Sequence, residues 1–336
     1  MKLSYIAKTL FSISTLCGVV SAQAGIAESD LSDINRKMLS RNGFSEASVL
    51  MAQSTEKAAG TPEEFERYLV AIASGVKNAL KQRDIDFSDV LGIGQIANHL
   101  DGWARAMPGG MEYYTHFIES VAEASNSARP ASFGGQLGCQ MQLVLFSLAI
   151  DAQDVAKAEA ARKAALSLSK YDSEASFAKF CIPILDVAFT LISKDSAAAL
   201  SLYREQHKKL LDMGLADVEE ILWSQLVVLK ENGLSLGELE SVKKEMDSRF
   251  NKGVRIRKVY PNTAAAKAGW RKGDRIVEID GKTILYNSDN GGRPHLQAVL
   301  NRRRNIPNRK PTKFKLKRGE TFLTSEIAED SLGILF

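Results

Sequence analysis

Apolar positions recur at intervals of three and four from residue 61 to about residue 249, and change to near-alternation only beyond residue 253. The first regime predicts helices and the second predicts strands. Its clearest start is Thr61-Pro62-Glu63-Glu64. Threonine caps a helix, proline suits the first helical position, and a glutamate three residues after the cap completes a capping box. Phe65, Tyr68, Leu69, Ile72, Val76 and Leu80 then share one face. The same periodicity predicts helices near 85–105, 110–126, 136–150, 153–169, 174–193, 195–213, 216–231 and 235–249. Breakers fall between them, among them Pro108-Gly109-Gly110, Gly134-Gly135, Gly214 and Asn232-Gly233. Residues 25–60 are polar and rich in Ser and Ala, with Leu31, Ile34, Met38 and Leu39 at helical spacing, which predicts a loose helix. Short links and Ala-rich faces (Ala156, Ala160, Ala164, Ala197 to Ala199) predict antiparallel pairs packed closely.

Between Gly253 and Gly281 the order of elements is specific. Val254, Ile256 and Val259 read as a strand, which Tyr260-Pro261-Asn262 ends. Thr263 to Ala268 allows one or two helical turns, and Gly269 stands where a left-handed cap is needed. Lys272-Gly273-Asp274 is a tight turn, Ile276, Val277 and Ile279 make a second strand, and Asp280-Gly281 is a hairpin turn.

This order resembles the PDZ domains of bacterial envelope proteins. Asn262-Thr263-Ala264-Ala265 matches their small-residue turn, Ala268-Gly269-Trp270 their Ala-Gly-Leu, and Gly273-Asp274-Arg275-Ile276 their Gly-Asp-x-Ile. The resemblance implies a peptide-binding module over residues 250–336. A helix from Pro294 to Arg303 would line its groove, with His295, Leu296, Val299 and Leu300 on one face and either Leu296 or Val299 facing the groove while the other joins the core. The family's carboxylate-holding loop is missing before Val254, while Ser331-Leu332-Gly333-Ile334-Leu335-Phe336 stands at the far end. A permuted domain would make Leu332-Gly333-Ile334 the carboxylate loop and Ile334-Leu335-Phe336 the groove strand. The alternative is that this tail is itself a ligand, with Phe336 and Ile334 at the apolar spacing PDZ grooves accept. The helical part resembles tetratricopeptide-like arrays only loosely, through Asp195 to Tyr203, and shows no clean repeat. The fold class expected is therefore an all-α N-terminal bundle or array over 61–249, followed by a PDZ-like small β-barrel with two helices.

Composition adds a compartment. Lys2 and Lys8, the apolar run Leu10 to Val20 and Ala22-Gln23-Ala24 form a cleavable leader over residues 1–24. No later stretch looks apolar enough to cross a membrane, so the expectation is a periplasmic or secreted protein. Cys139 and Cys181 remain after the leader, and an oxidising compartment allows either one disulfide or two buried thiols. Charge is uneven: Phe250 to Glu320 holds 19 Lys and Arg against 5 Asp and Glu in a chain of net charge +4, so the remainder is acidic. The basic module suits an acidic partner. Catalytic motifs are missing from the sequence: there is no nucleophile elbow, zinc helix or phosphate-binding loop. His99, His116, His207 and His295 are scattered. The reading that follows is a non-enzymatic adaptor that binds protein or peptide ends and needs no cofactor or metal. An envelope peptidase and a secretion-complex subunit are the alternatives.

Overall fold

The structure, a computed structural model, describes residues 28–40, 43–55, 61–106, 109–127, 133–171, 177–193, 195–212, 219–250, 253–284, 310–328 and 332–335. The expected leader, the groove helix with His295 and Val299, and Phe336 lie outside the described residues.

Helices come first: α1 (Glu28–Met38), α2 (Gly43–Thr55), α3 (Pro62–Gln82), α4 (Phe87–Ala106), α5 (Gly110–Ser127), α6 (Phe133–Asp151), α7 (Val155–Leu168), α8 (Phe177–Ile192), α9 (Ser196–Asp212), α10 (Glu219–Glu231) and α11 (Glu240–Phe250). The start of α3 is fixed as its sequence predicts. Thr61 Oγ1 accepts from the Glu64 amide at 3.2 Å while the Glu64 carboxylate accepts from the Thr61 amide at 3.5 Å. The stretch expected to be loosely helical is instead two packed helices. Ile34, Met38, Phe44 and Met51 are fully buried, while Leu39, in the turn after α1, and Val49 face water.

Helices pack on the next but one as well as on their neighbours: α1 on α2 and α3, α2 on α4, α3 on α5, α6 on α8, and α8 on α10. This is a stacked array of helix pairs. Gly92 lets α4 close on α2, since a Cβ there would stand 2.7 Å from Phe44 Cβ and from the Ser45 amide nitrogen.

Two apolar cores fill the array, and α6 belongs to both. Leu137, Met141 and Leu148 join the core of α1 to α5, while Cys139, Leu143, Phe146 and Ile150 join the core of α7 to α11. A helix buried between two cores must be apolar all round. That corrects one expectation: α6 is long and apolar enough to cross a membrane by length and composition, yet 61% of it is buried in this fold. Of the two alternatives for cysteine, the structure takes buried thiols over a Cys139–Cys181 disulfide. Both fill the second core as small apolar groups, and Cys139 Sγ donates to the Ala165 carbonyl at 3.5 Å.

The last helix of the array, α11, is held by polar anchors. Trp223 Nε1 donates to Asp247 at 2.9 Å, and Arg249 donates to the buried Glu219 at 2.9 Å. Glu219 also accepts from the Tyr203 hydroxyl at 3.1 Å.

The strands follow: β1 (Val254–Arg255), β2 (Lys258–Val259), β3 (Arg275–Ile279), β4 (Lys282–Thr283), β5 (Thr312–Arg318), β6 (Thr321–Ile327) and β7 (Ile334–Leu335), with a short helix α12 (Ala264–Lys267) after β2. The run read as one strand, Val254–Val259, is two. β1 pairs with β3 in the larger sheet, ordered β1-β3-β5-β6 with β4 on β3, whereas β2 pairs with β7 in a separate two-stranded sheet. The crossing point is Ile256, whose amide donates to the Asp274 carbonyl at 2.8 Å and whose carbonyl accepts from the Gly273 amide at 2.8 Å. The chain thus turns a barrel corner while Ile256 stays fully buried. At the far end of β4, the Thr283 amide donates to Glu231 Oε1 at 3.0 Å, joining the strands to the end of α10.

Candidate peptide-binding groove

The groove region is built around α12. Thr263 caps it, with Oγ1 donating to the Tyr260 carbonyl at 2.7 Å and accepting from the Ala266 amide at 3.4 Å. Gly269 closes it at φ +74°: its amide donates to the Ala266 carbonyl at 3.0 Å and the Trp270 amide donates to the Ala265 carbonyl at 2.9 Å. These two bonds are a Schellman motif, which needs a residue at positive φ. Trp270, standing where the family has leucine, fills the core edge-on to Phe314 (ring centroids 5.1 Å apart) and donates from Nε1 to Ser325 Oγ at 2.8 Å.

Asp274 is the polar anchor of the tight turn. It is 2% exposed and accepts from the Arg271 amide at 2.8 Å and from both arms of Arg318 at 2.8 Å. Burial alone would raise its carboxyl, but the Arg318 fork and the Arg271 amide hold it below the ordinary range. Arg318 also donates to the Gly269 carbonyl at 2.7 Å, so one guanidinium ties the helix cap, the turn and β5 together.

Against this scaffold lies the stretch Leu332–Leu335. The Leu332 carbonyl accepts from the Ala265 amide at 3.1 Å in the first turn of α12. Gly333 is at φ +64° and so close to Thr263 that a Cβ would sit 2.1 Å from Thr263 Cγ2. β7 then runs antiparallel to β2, with Lys258 opposite Leu335 and Val259 opposite Ile334. The Gly333 and Leu335 carbonyls accept from the Tyr260 amide at 2.9 Å and the Arg257 amide at 2.7 Å. Because a strand alternates the direction of its polar groups, the N–H and C=O of Ile334 face away from β2. Among the described residues no strand pairs with that edge. Leu332 is buried, whereas Ile334 and Leu335 are half-buried.

The structure thus brings Leu332, Gly333, Ile334 and Leu335 together as loop and strand. Sequence reasoning missed Thr263 and Ala265 as the residues that receive the loop. Their signal was the capping threonine followed by small residues, which leaves room for Gly333.

The outer face of the larger sheet carries a second feature. Arg255 stands directly opposite Arg275, and Arg275 directly opposite Lys317, across three adjacent strands. Phe322 ends the row on β6 and is 55% exposed. Like charges directly opposite destabilise a sheet. The neighbouring lysines have acidic partners: Lys313 pairs with Glu326 at 3.3 Å, and Lys315 pairs with Glu278 at 2.5 Å.

Comparison with known proteins finds no curated protein and no solved structure that matches the chain. A family model does match, over residues 255–301, from β1 through the residues that precede β5. That family is the PDZ domain, a module for protein–protein interaction, and the antiparallel sheets of the C-terminal region are those of a PDZ domain.

Proposed function

We propose that the protein is a non-enzymatic adaptor of the bacterial periplasm that holds a partner's C-terminus in the PDZ groove and a second partner on its helical array. The observation that carries this reading is the seat of β7. Gly333 is in the left-handed conformation just ahead of the strand, and among the described residues no strand pairs with the outward edge of Ile334. A peptide added there would gain main-chain hydrogen bonds for affinity, with side-chain pockets setting specificity. His295 and Val299 on the expected groove helix would supply the facing wall, and Phe336 would extend β7. The leader pattern of residues 1–24 supports the compartment, and the lack of catalytic motifs in the sequence supports an adaptor. The basic Arg255–Arg275–Lys317 row suits a partner that carries acidic residues beside its C-terminus.

The test is deletion of Leu332–Phe336 from the full chain, with binding measured against decapeptides ending in a free apolar carboxylate and against their C-terminal amides. The intact chain is expected to prefer the free carboxylate by tenfold or more. The truncated chain is expected to bind neither peptide and to unfold its β region at lower temperature. A truncated chain that melts as before and binds peptide better would make the tail a ligand and overturn the reading.

A further inference from the structure

The two-stranded sheet of β2 and β7 has two faces, and only one belongs to the core. Val259 and Ile334 stand opposite each other and pack against the apolar core of the PDZ domain. Successive side chains of a strand alternate between faces. Lys258 and Leu335, the neighbouring opposite pair, therefore share the outward face. Lys258 is exposed, and its Nζ stands over the Tyr260 ring, 4.5 Å from the centroid. Tyr260 is bonded through its amide to Gly333, which brings no side chain to that face. The ammonium is thus held at the outer rim of the groove, on the strand that supports β7.

The register of an added peptide follows from the backbone. The chain ahead of Ile334 bends onto α12, where the Leu332 carbonyl accepts from the Ala265 amide at 3.1 Å. A strand laid on the outward edge of β7 cannot run past that bend. Running antiparallel, it ends opposite Ile334, whose outward N–H and C=O exchange two hydrogen bonds with the terminal carboxylate and the terminal N–H. Residues directly opposite share a face, so the last side chain points inward with Ile334 and the penultimate one points outward with Leu335. One strand further on, opposite Leu335, is Lys258. Two strand spacings, roughly 10 Å, separate Lys258 from the peptide backbone, which a lysine and an acidic side chain together can span.

We infer that Lys258 selects partners whose penultimate residue is Asp or Glu. The inference rests on the reading of β7 as a seat for a partner's C-terminus, and adds to it one position and one charge. Among the described residues of β7, Leu335 is the only outward side chain, so the preference belongs to that position and not to the peptide's charge at large.

The test uses the full chain and four decapeptides with the same free apolar C-terminal residue. Three carry Glu, Gln or Lys at the penultimate position, and the fourth carries Glu one place earlier and Gln at the penultimate position. At low salt the native chain is expected to bind penultimate Glu about threefold more tightly than Gln, and Gln about threefold more tightly than Lys. The displaced Glu is expected to bind like Gln, and the preference is expected to fade at about 0.5 M salt. Lys258→Arg should keep the order, Lys258→Met should bring the four peptides within about twofold of one another, and Lys258→Glu should reverse the order. Equal affinity of the native chain for all four peptides would overturn the inference and leave the groove standing. So would an equal gain from the displaced Glu, or a preference that survives Lys258→Met. No binding of any peptide by the native chain would overturn the groove reading, and this inference with it.

Discussion

At the scale of single residues, two glycines in left-handed conformation separate strain from crowding. Gly269 has φ +74° and open space around its Cβ position, so Gly269→Ala carries only backbone strain, about 1 kcal/mol. Gly333 adds the overlap with Thr263, and Gly333→Ala is expected to cost about 3 kcal/mol or more, because the loop must lift away from α12. Urea denaturation of the two variants checks this. Equal losses would mean that Leu332–Leu335 is not seated as described. Two titrating groups make a second case. Burial pulls the His99 imidazole down to about 4 and pushes the Asp151 carboxyl up to about 6. His99 resists charging in the fold, so its contribution is complete above pH 6.5 and is lost as pH falls through 4. Asp151 resists ionising, so its contribution is complete below pH 3.8 and is lost as pH rises through 6. The two oppose each other across one window. Relative to the native chain, His99→Gln is therefore expected to lose stability as pH rises from 4 to 6.5, while Asp151→Asn gains it. Each change is on the order of 2 kcal/mol. Denaturation series at pH 4, 5, 6 and 7 measure both, and slopes of the same sign would contradict the assignment.

At the scale of elements, much of the fold was legible in the sequence because local chemistry and tertiary role agreed. The Thr61 box, the Gly269 cap and the Asp280-Gly281 turn each act within a few residues, and each forms as its pattern demands. What escaped was set by packing. Gly92 reads as a stray glycine in a helix, yet its reason is the backbone of α2, more than forty positions away in the chain. The run Val254–Val259 alternates without a break, and nothing local marks Ile256 as the point where the chain changes sheets. The Gly333 loop was legible from its own motif, but its seat on Thr263 and Ala265 was not, because they lie about seventy residues before it.

At the scale of the whole molecule, the two cores are not two folding units, because α6 gives one flank to each. Chemical denaturation of the helical region is expected to show one transition, with the amides of α6 among the slowest to exchange. Two resolved transitions would mean that the cores melt apart. The shared helix also bears on how such a protein can be divided or inherited. A fragment ending at Asp151 would bare Cys139, Leu143, Phe146 and Ile150, and one starting at Phe133 would bare Leu137, Met141 and Leu148. Neither half has a finished surface, so a gene cut on either side of α6 encodes two insoluble pieces. The PDZ domain has its own apolar core and is portable in a way the array is not. In any recombination the helices α1 to α11 travel together, while the PDZ end can be exchanged for another.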